Sequence, residues 1–185
     1  EWAPNAKEIY LIGDFNDWKE HGDYRMYHVK NSPGVWEVEL QSGAIKHGDL
    51  YKLKVRWNGG EGERIPAWAN RVVQDEQTKI FSAQVWEPEN PYRFRKKVFR
   101  AKTDPLMIYE CHIGMAQEEE RVGTYNEFRE KILPRIAEAG YNCIQIMAIQ
   151  EHPYYGSFGY HVSSFFAPSS RFGTPDELKE LIDTA

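Results

Sequence analysis

The hydrophobic period changes partway along the chain, and that change constrains the fold more than any other feature. Before residue 88 apolar residues alternate. In "WEVEL" (36–40), Trp36, Val38 and Leu40 share one face and Glu37 and Glu39 the other. In "YKLKVRW", Tyr51, Leu53, Val55 and Trp57 stand opposite Lys52, Lys54 and Arg56. Period two with one wet face predicts antiparallel strands. "KEIYLIGDF" (7–15) and "KIFSAQVW" (79–86) read as their partners, with turns at "GDFND", "NSPG" and "WNGGEG". Short strands at this spacing predict a β-sandwich.

The second part reads differently. "PLMIYECHIG" (105–114) and "YNCIQIMAIQ" (141–150) are nearly continuous apolar runs, suited to buried strands. Between them Phe128, Ile132 and Ile136 recur every four residues. Thr124 and Glu127 form a capping-box pattern, and Gly140 stands where a helix stops. Pro134, inside this helix, is expected to kink it. "TPDELKELIDTA" repeats the start signal with Thr174, Pro175 and Glu177. Strand, helix, strand, helix predicts a parallel α/β unit. The boundary falls between Pro88 and Lys102, where the basic run "RFRKKVFRAK" reads as a solvated linker. The expected organisation is a sandwich at 1–92, a linker at 93–104, and the α/β part at 105–185.

Composition removes several function classes. Apolar residues are 41%, enough for a core, and net charge is −5 with no long basic run, which argues against a nucleic-acid binder. No apolar stretch approaches the roughly 20 residues of a membrane helix, and no signal peptide is visible. Two cysteines, Cys111 and Cys143, make no disulfide framework and read as buried thiols, compatible with a cytoplasmic location. The chain lacks an initial methionine and ends at "LIDTA", so it reads as a fragment.

Beyond the second apolar run lies "HPYYGSFGYH" (152–161), with four aromatics, two glycines and two histidines. In parallel α/β folds chemistry collects beyond the C-terminal strand ends, so this loop sits where a site is expected. His112, His152 and His161, with Glu110 and Glu151, are good ligand types for a metal. Their spacing forms no paired ligand motif, and a structural role is the simpler reading for each lone histidine except His161. Neither metal nor cofactor is expected. Aromatic rings also cover the apolar face of a sugar while polar neighbours bond its hydroxyls. Six tryptophans, five of them before residue 70, point the same way. For Phe158, Phe165 and Phe166 an aromatic minicore is the preferred reading.

"WAPNAKEIYLIGDFNDW" (2–18) resembles the starch-binding, immunoglobulin-like β-sandwich that precedes the catalytic barrel in branching and debranching enzymes. Residues 140–185, with "RIPAWANRVVQ" (64–74) and "YECHIGMAQEEERVGTYNEF" (109–128), resemble the 1,4-α-glucan branching enzymes of eukaryotic type, in the α-amylase superfamily. The resemblance covers nearly the whole chain. Its second part then implies the first βαβα units of a TIM barrel, truncated.

The resemblance implies a retaining transglycosylation, in which an α-1,4 glucan is cut and rejoined through an α-1,6 bond in glycogen or starch biosynthesis. Tyr160 corresponds to the tyrosine that stacks on the sugar at the cleavage point, and His161 stands where relatives often carry Gln. Trp18 corresponds to a glucan-binding tryptophan. Lys19, Glu20 and the turn Pro33-Gly34-Val35 align with the rim of that surface. The family's catalytic carboxylates lie on later strands, so Glu110, Glu151 and Asp176 are not expected to replace them, and the chain alone is expected to be inactive. The implied partner is α-glucan: glycogen, starch or maltooligosaccharides. Apolar edges of a partial barrel are expected to self-associate or to be less ordered than the sandwich. Two other readings are a debranching or trehalose-releasing hydrolase, and a non-catalytic glucan-binding module.

Overall fold

The computed structural model describes residues 1–96 and 105–185. The chain divides into two compact units, Glu1–Glu89 and Asn90–Ala185.

The first unit contains β1 (Ala6–Gly13), β2 (Tyr27–His28), β3 (Trp36–Glu37), β4 (Leu50–Trp57), β5 (Gly60–Arg64), β6 (Val72–Gln74) and β7 (Phe81–Gln84). An antiparallel sheet runs β1-β4-β7-β6, with β5 also paired to β4, and β2 and β3 form a second, two-stranded sheet. The register sets Ile9 opposite Val55 and Leu11 opposite Leu53. Their side chains meet Met26 and Trp36, with Val38 and Leu40 against the same cluster. Two layers pack face to face, and the expected sandwich is present. Burying these apolar side chains, each contributing about 1.5–3 kcal/mol, is what holds the layers together.

Two expectations need correction. "WEVEL" keeps its apolar face on the core, but only Trp36 and Glu37 are strand. Their partner, Tyr27–His28, is two residues long, and just before it the Met26 N–H bonds the Ile9 carbonyl of β1 instead. Conversely, β5 carries "GEGER", with no apolar alternation to announce it. Ion pairs draw it onto β4: Lys52–Glu63 at 3.2 Å, Lys54–Glu61 at 2.7 Å and Arg56–Glu61 at 3.0 Å.

In the second unit β8 (Ile108–Cys111) pairs in parallel with β9 (Cys143–Ile146). The crossover is helical. α1 (Tyr125–Glu127) passes through a π turn (Phe128–Ile132) into α2 (Leu133–Glu138). The Leu133 N–H reaches back to the Phe128 carbonyl. This is how the helix absorbs Pro134: a proline lacks an N–H and clashes with the carbonyl four residues back, but is tolerated at the start of a fresh segment. β10 (Gln150–Glu151) pairs antiparallel with β11 (Ser164–Pro168), and α3 (Pro175–Thr184) closes the described chain.

Both expected capping boxes form: Thr124 with Glu127, and Thr174 with Glu177. The core joins Cys111, Ile113, Tyr125, Phe128, Ile136, Phe172 and Leu181. The expected strand 141–150 is broken. The Met147 N–H makes a last bond to the Cys111 carbonyl at 2.8 Å. Ala148 then turns to φ 47, releasing the chain to pair with β11.

The expected linker 93–104 falls partly on residues 97–104, which lie outside the described residues. Before them, Asp183 of α3 accepts from the Tyr92 hydroxyl at 2.6 Å and the Arg95 backbone N–H at 2.8 Å. No helix among the described residues is long and apolar enough to cross a membrane.

Candidate functional site: two exposed aromatic positions

The first position follows β1. A single 3-10 turn (Asp14–Asn16) is held by Asn16, whose Oδ1 accepts from the Gly13 N–H at 2.9 Å while its Nδ2 donates to the Leu11 carbonyl at 3.0 Å. Asp17 and Trp18 then both adopt left-handed backbone, with φ 53 and φ 57. That is unfavourable for a bulky residue. Bonds on either side hold it. The Trp18 N–H donates to the Gly13 carbonyl at 2.9 Å, and the indole Nε1–H donates to Asp14 Oδ1 at 2.9 Å. The Lys52 ammonium lies 5.9 Å from the indole centroid. The indole is thus fixed in orientation yet 38% exposed.

The neighbours of Trp18 divide. Lys19 projects into solvent 4.0 Å from Asp17. Glu20 accepts from Arg56 at 2.7 Å. Arg56 also bonds Glu61 and Glu8, and these carboxylates raise its pKa further. Gly34, at φ 81, sits elsewhere. Its carbonyl accepts from the Ala3 N–H at 2.7 Å, and a Cβ there would meet Pro4 at 2.9 Å. The Pro33-Gly34 turn therefore lies against the segment leading into β1, whereas Trp18 follows β1's far end.

The second position is the loop between β10 and β11. Its base is a buried ion pair: Glu151, with no exposed surface, accepts from Arg171 at 3.1 Å and from the Ser170 N–H at 2.7 Å. Arg171 also donates to the carbonyls of His152 and Pro153. Sequence reading missed this partner, which lies 20 residues away on a segment with no pattern of its own. Gly159, at φ 85, packs so closely on Ala148 that a Cβ would fall 2.4 Å from its carbonyl oxygen.

His112 is buried and its Nε2 lies 3.3 Å from the Phe158 carbonyl. Burial pushes its pKa down, which favours the neutral ring donating that bond. Of the three rings expected in a minicore only Phe158 joins one, at its edge, and the rest of it is built from other rings. Phe172 packs edge-on to His112 at 5.5 Å and Tyr125 at 5.9 Å, with Tyr155 and Phe158 beside His112. Phe165 and Phe166, successive residues of β11, are both exposed. Tyr160, 69% exposed, stands at the loop's outer end with its N–H on the Ser157 carbonyl, and His161 follows it at the surface.

The carboxylates considered at the sequence level are occupied. Glu110 accepts from Gln145 at 2.8 Å, Glu151 is bound as above, and Asp176 pairs with Lys179 at 2.9 Å. Among the described residues no three of His, Cys, Asp and Glu come together as metal ligands would.

Comparison with known proteins fits this arrangement. Residues 1–69 match the family model for Carbohydrate-binding module 48 (Isoamylase N-terminal domain). The whole chain aligns with 1,4-alpha-glucan-branching enzymes. It is 44% identical to that of Dictyostelium discoideum over 191 residues and 48% identical to that of Rhizophagus irregularis over 193, spanning 28% and 27% of their lengths. Among solved structures, the pullulanase of Bacillus acidopullulyticus superposes with a TM-score of 0.71 at 17% identity, over 100% of this chain and 26% of that one. A product complex of a multi-modular glycogen-degrading pneumococcal virulence factor gives 0.73 at 17%, over 99% and 24%. These two likenesses are of fold alone. Along its whole length the chain is thus similar to 1,4-alpha-glucan-branching enzymes, spanning a little over a quarter of their length, and its first 69 residues match a carbohydrate-binding module.

Proposed function

We propose that this chain is the glucan-docking and cleft-forming part of a cytoplasmic 1,4-α-glucan branching enzyme. The first unit, Glu1–Glu89, forms the carbohydrate-binding module, and residues 105–185 begin the (β/α)8 barrel. The whole enzyme cuts an α-1,4 glucan and rejoins the chain to a 6-hydroxyl. The carboxylates that do so belong to the rest of the enzyme. Glu110, Glu151 and Asp176 are already engaged in structural bonds, which supports that reading.

The observation that carries the docking role is the Trp18 indole. Its N–H is satisfied by Asp14, its backbone is held in an unfavourable conformation, and its ring remains partly exposed. Such strain persists only where surrounding bonds enforce it, and it gathers at binding sites. Lys19 and Glu20 offer polar groups beside it, and the Pro33-Gly34 turn extends the module's contact with the polysaccharide. In the barrel part Tyr160 stacks on a sugar ring and His161 bonds a hydroxyl. Leu106, Met107 and Ile108 are exposed at β8. The remaining barrel covers them in the whole enzyme, and copies of this chain self-associate there without it.

The test is to incubate the purified chain with amylose and follow iodine absorbance, with glycogen binding measured in parallel. The expected result is binding with unchanged absorbance. Branching by this chain alone would overturn the assignment of the catalytic carboxylates.

A further inference from the structure

Within the loop that carries Tyr160, a second ring is held outward. Tyr154 is 68% exposed, and among the described residues no other ring packs on it. Its neighbour Tyr155 goes the other way, into the cluster around His112. Tyr154 is nevertheless not loose. Its carbonyl accepts from the Ser157 hydroxyl at 2.7 Å and the Ser157 N–H at 3.1 Å. Its ring lies across Gly156: a Cβ there would fall 2.4 Å from Cζ and Oη of the phenol. Only a glycine leaves room for this pose.

Two consecutive turns, closed by the Ser157 N–H on Tyr154 and the Tyr160 N–H on Ser157, bring the two tyrosines close. Each turn spans less than about 7 Å between its ends, so their Cα atoms lie within about 14 Å. An apolar ring fixed in solvent beside a sugar platform has the form of a second platform, because rigid aromatic area stacks on a sugar face at little entropic cost.

We propose that Tyr154 is a stacking subsite for a second glucosyl ring of the α-1,4 glucan that Tyr160 contacts. This rests on the reading of Tyr160 given above.

The test uses the full 185-residue chain carrying Trp18→Ala, which silences the sandwich surface, titrated with maltoheptaose by heteronuclear NMR. In that background Tyr154→Ala is expected to weaken binding about five- to tenfold. Tyr154→Phe is expected to retain it. Gly156→Ala, which keeps the tyrosine but displaces its ring, is expected to weaken it similarly. Tyr160→Ala weakening binding while Tyr154→Ala stays within twofold of its parent would overturn this subsite and leave the Tyr160 reading intact. Absence of loop-localised shifts in the folded Trp18→Ala chain would overturn both.

Discussion

Asp14 holds Trp18 and β4 with its two carboxylate oxygens: Oδ1 accepts from the Trp18 indole at 2.9 Å, and Oδ2 accepts from the Leu50 N–H at 2.7 Å. The exposed ring is therefore registered to the sheet beneath it. Asp14→Ala is expected to lower glycogen affinity by threefold to tenfold, with the ring still present but free to rotate. Each lost charge-assisted bond contributes about 1.5–3 kcal/mol, so stability falls as well. Affinity electrophoresis beside a thermal melt checks this. Unchanged affinity would mean that indole orientation is irrelevant.

Arg171→Met is expected to damage the second unit far more than a surface change would. It leaves the Glu151 carboxylate buried against two backbone donors without its cation. Removing one partner of a buried pair costs about 3–5 kcal/mol. Denaturant titration followed by amide exchange should show the loss in residues 105–185, with residues 1–89 unchanged. Equal loss in both units would contradict it.

Acid should loosen the second unit through its helix caps. The Arg121 guanidinium, followed by bonds from Thr124, holds the Glu127 carboxyl down at about 2 from a usual 4.5. Asp183 is lowered in the same direction, first by the Tyr92 hydroxyl. A depressed folded-state pKa means the stabilisation is complete above the unfolded value and is lost as pH falls towards the folded one. Amide protection at 125–138 is therefore expected to decline between about pH 4.5 and 2. Glu127→Gln should flatten that decline, and a variant that titrates like the parent would contradict it.

The Cys111 thiol is pushed up to about 11, chiefly by burial and further by Glu110. The thiolate is the reactive form. Iodoacetamide at pH 8 is expected to leave Cys111 unmodified in the folded chain and to label it in denaturant, read by peptide mass spectrometry. Rapid native labelling would show that β8 opens readily.

Much of the fold can be read from local pattern. Leu53 and Val55 alternate with lysines and point inward, and Thr124 and Thr174 begin their helices as their capping boxes require. Much of what escapes depends on distant partners. β5 escapes for another reason: its partners Lys52, Lys54 and Arg56 are near in sequence, but its cross-strand contacts are charged, so no apolar alternation marks it. An interruption at Pro134 is foreseeable, but a π turn just before it is not, and Phe128 and Ile136 on either side of the break pack in a shared core. The candidate site divides the same way. Trp18 and Tyr160 are recognisable by type and motif. The residues that hold them, Asp14 through Leu50 and Arg171 through Glu151, need contacts 36 and 20 residues apart.

The measurement that bears most directly on the central claim is glycogen affinity electrophoresis of this chain and of Trp18→Ala, with folding of both verified by circular dichroism. Retarded migration of the parent chain is expected, with Trp18→Ala weakening the affinity by about 1–3 kcal/mol. A folded parent chain that ignores glycogen, or a variant that binds as tightly as the parent, would contradict glucan docking through Trp18.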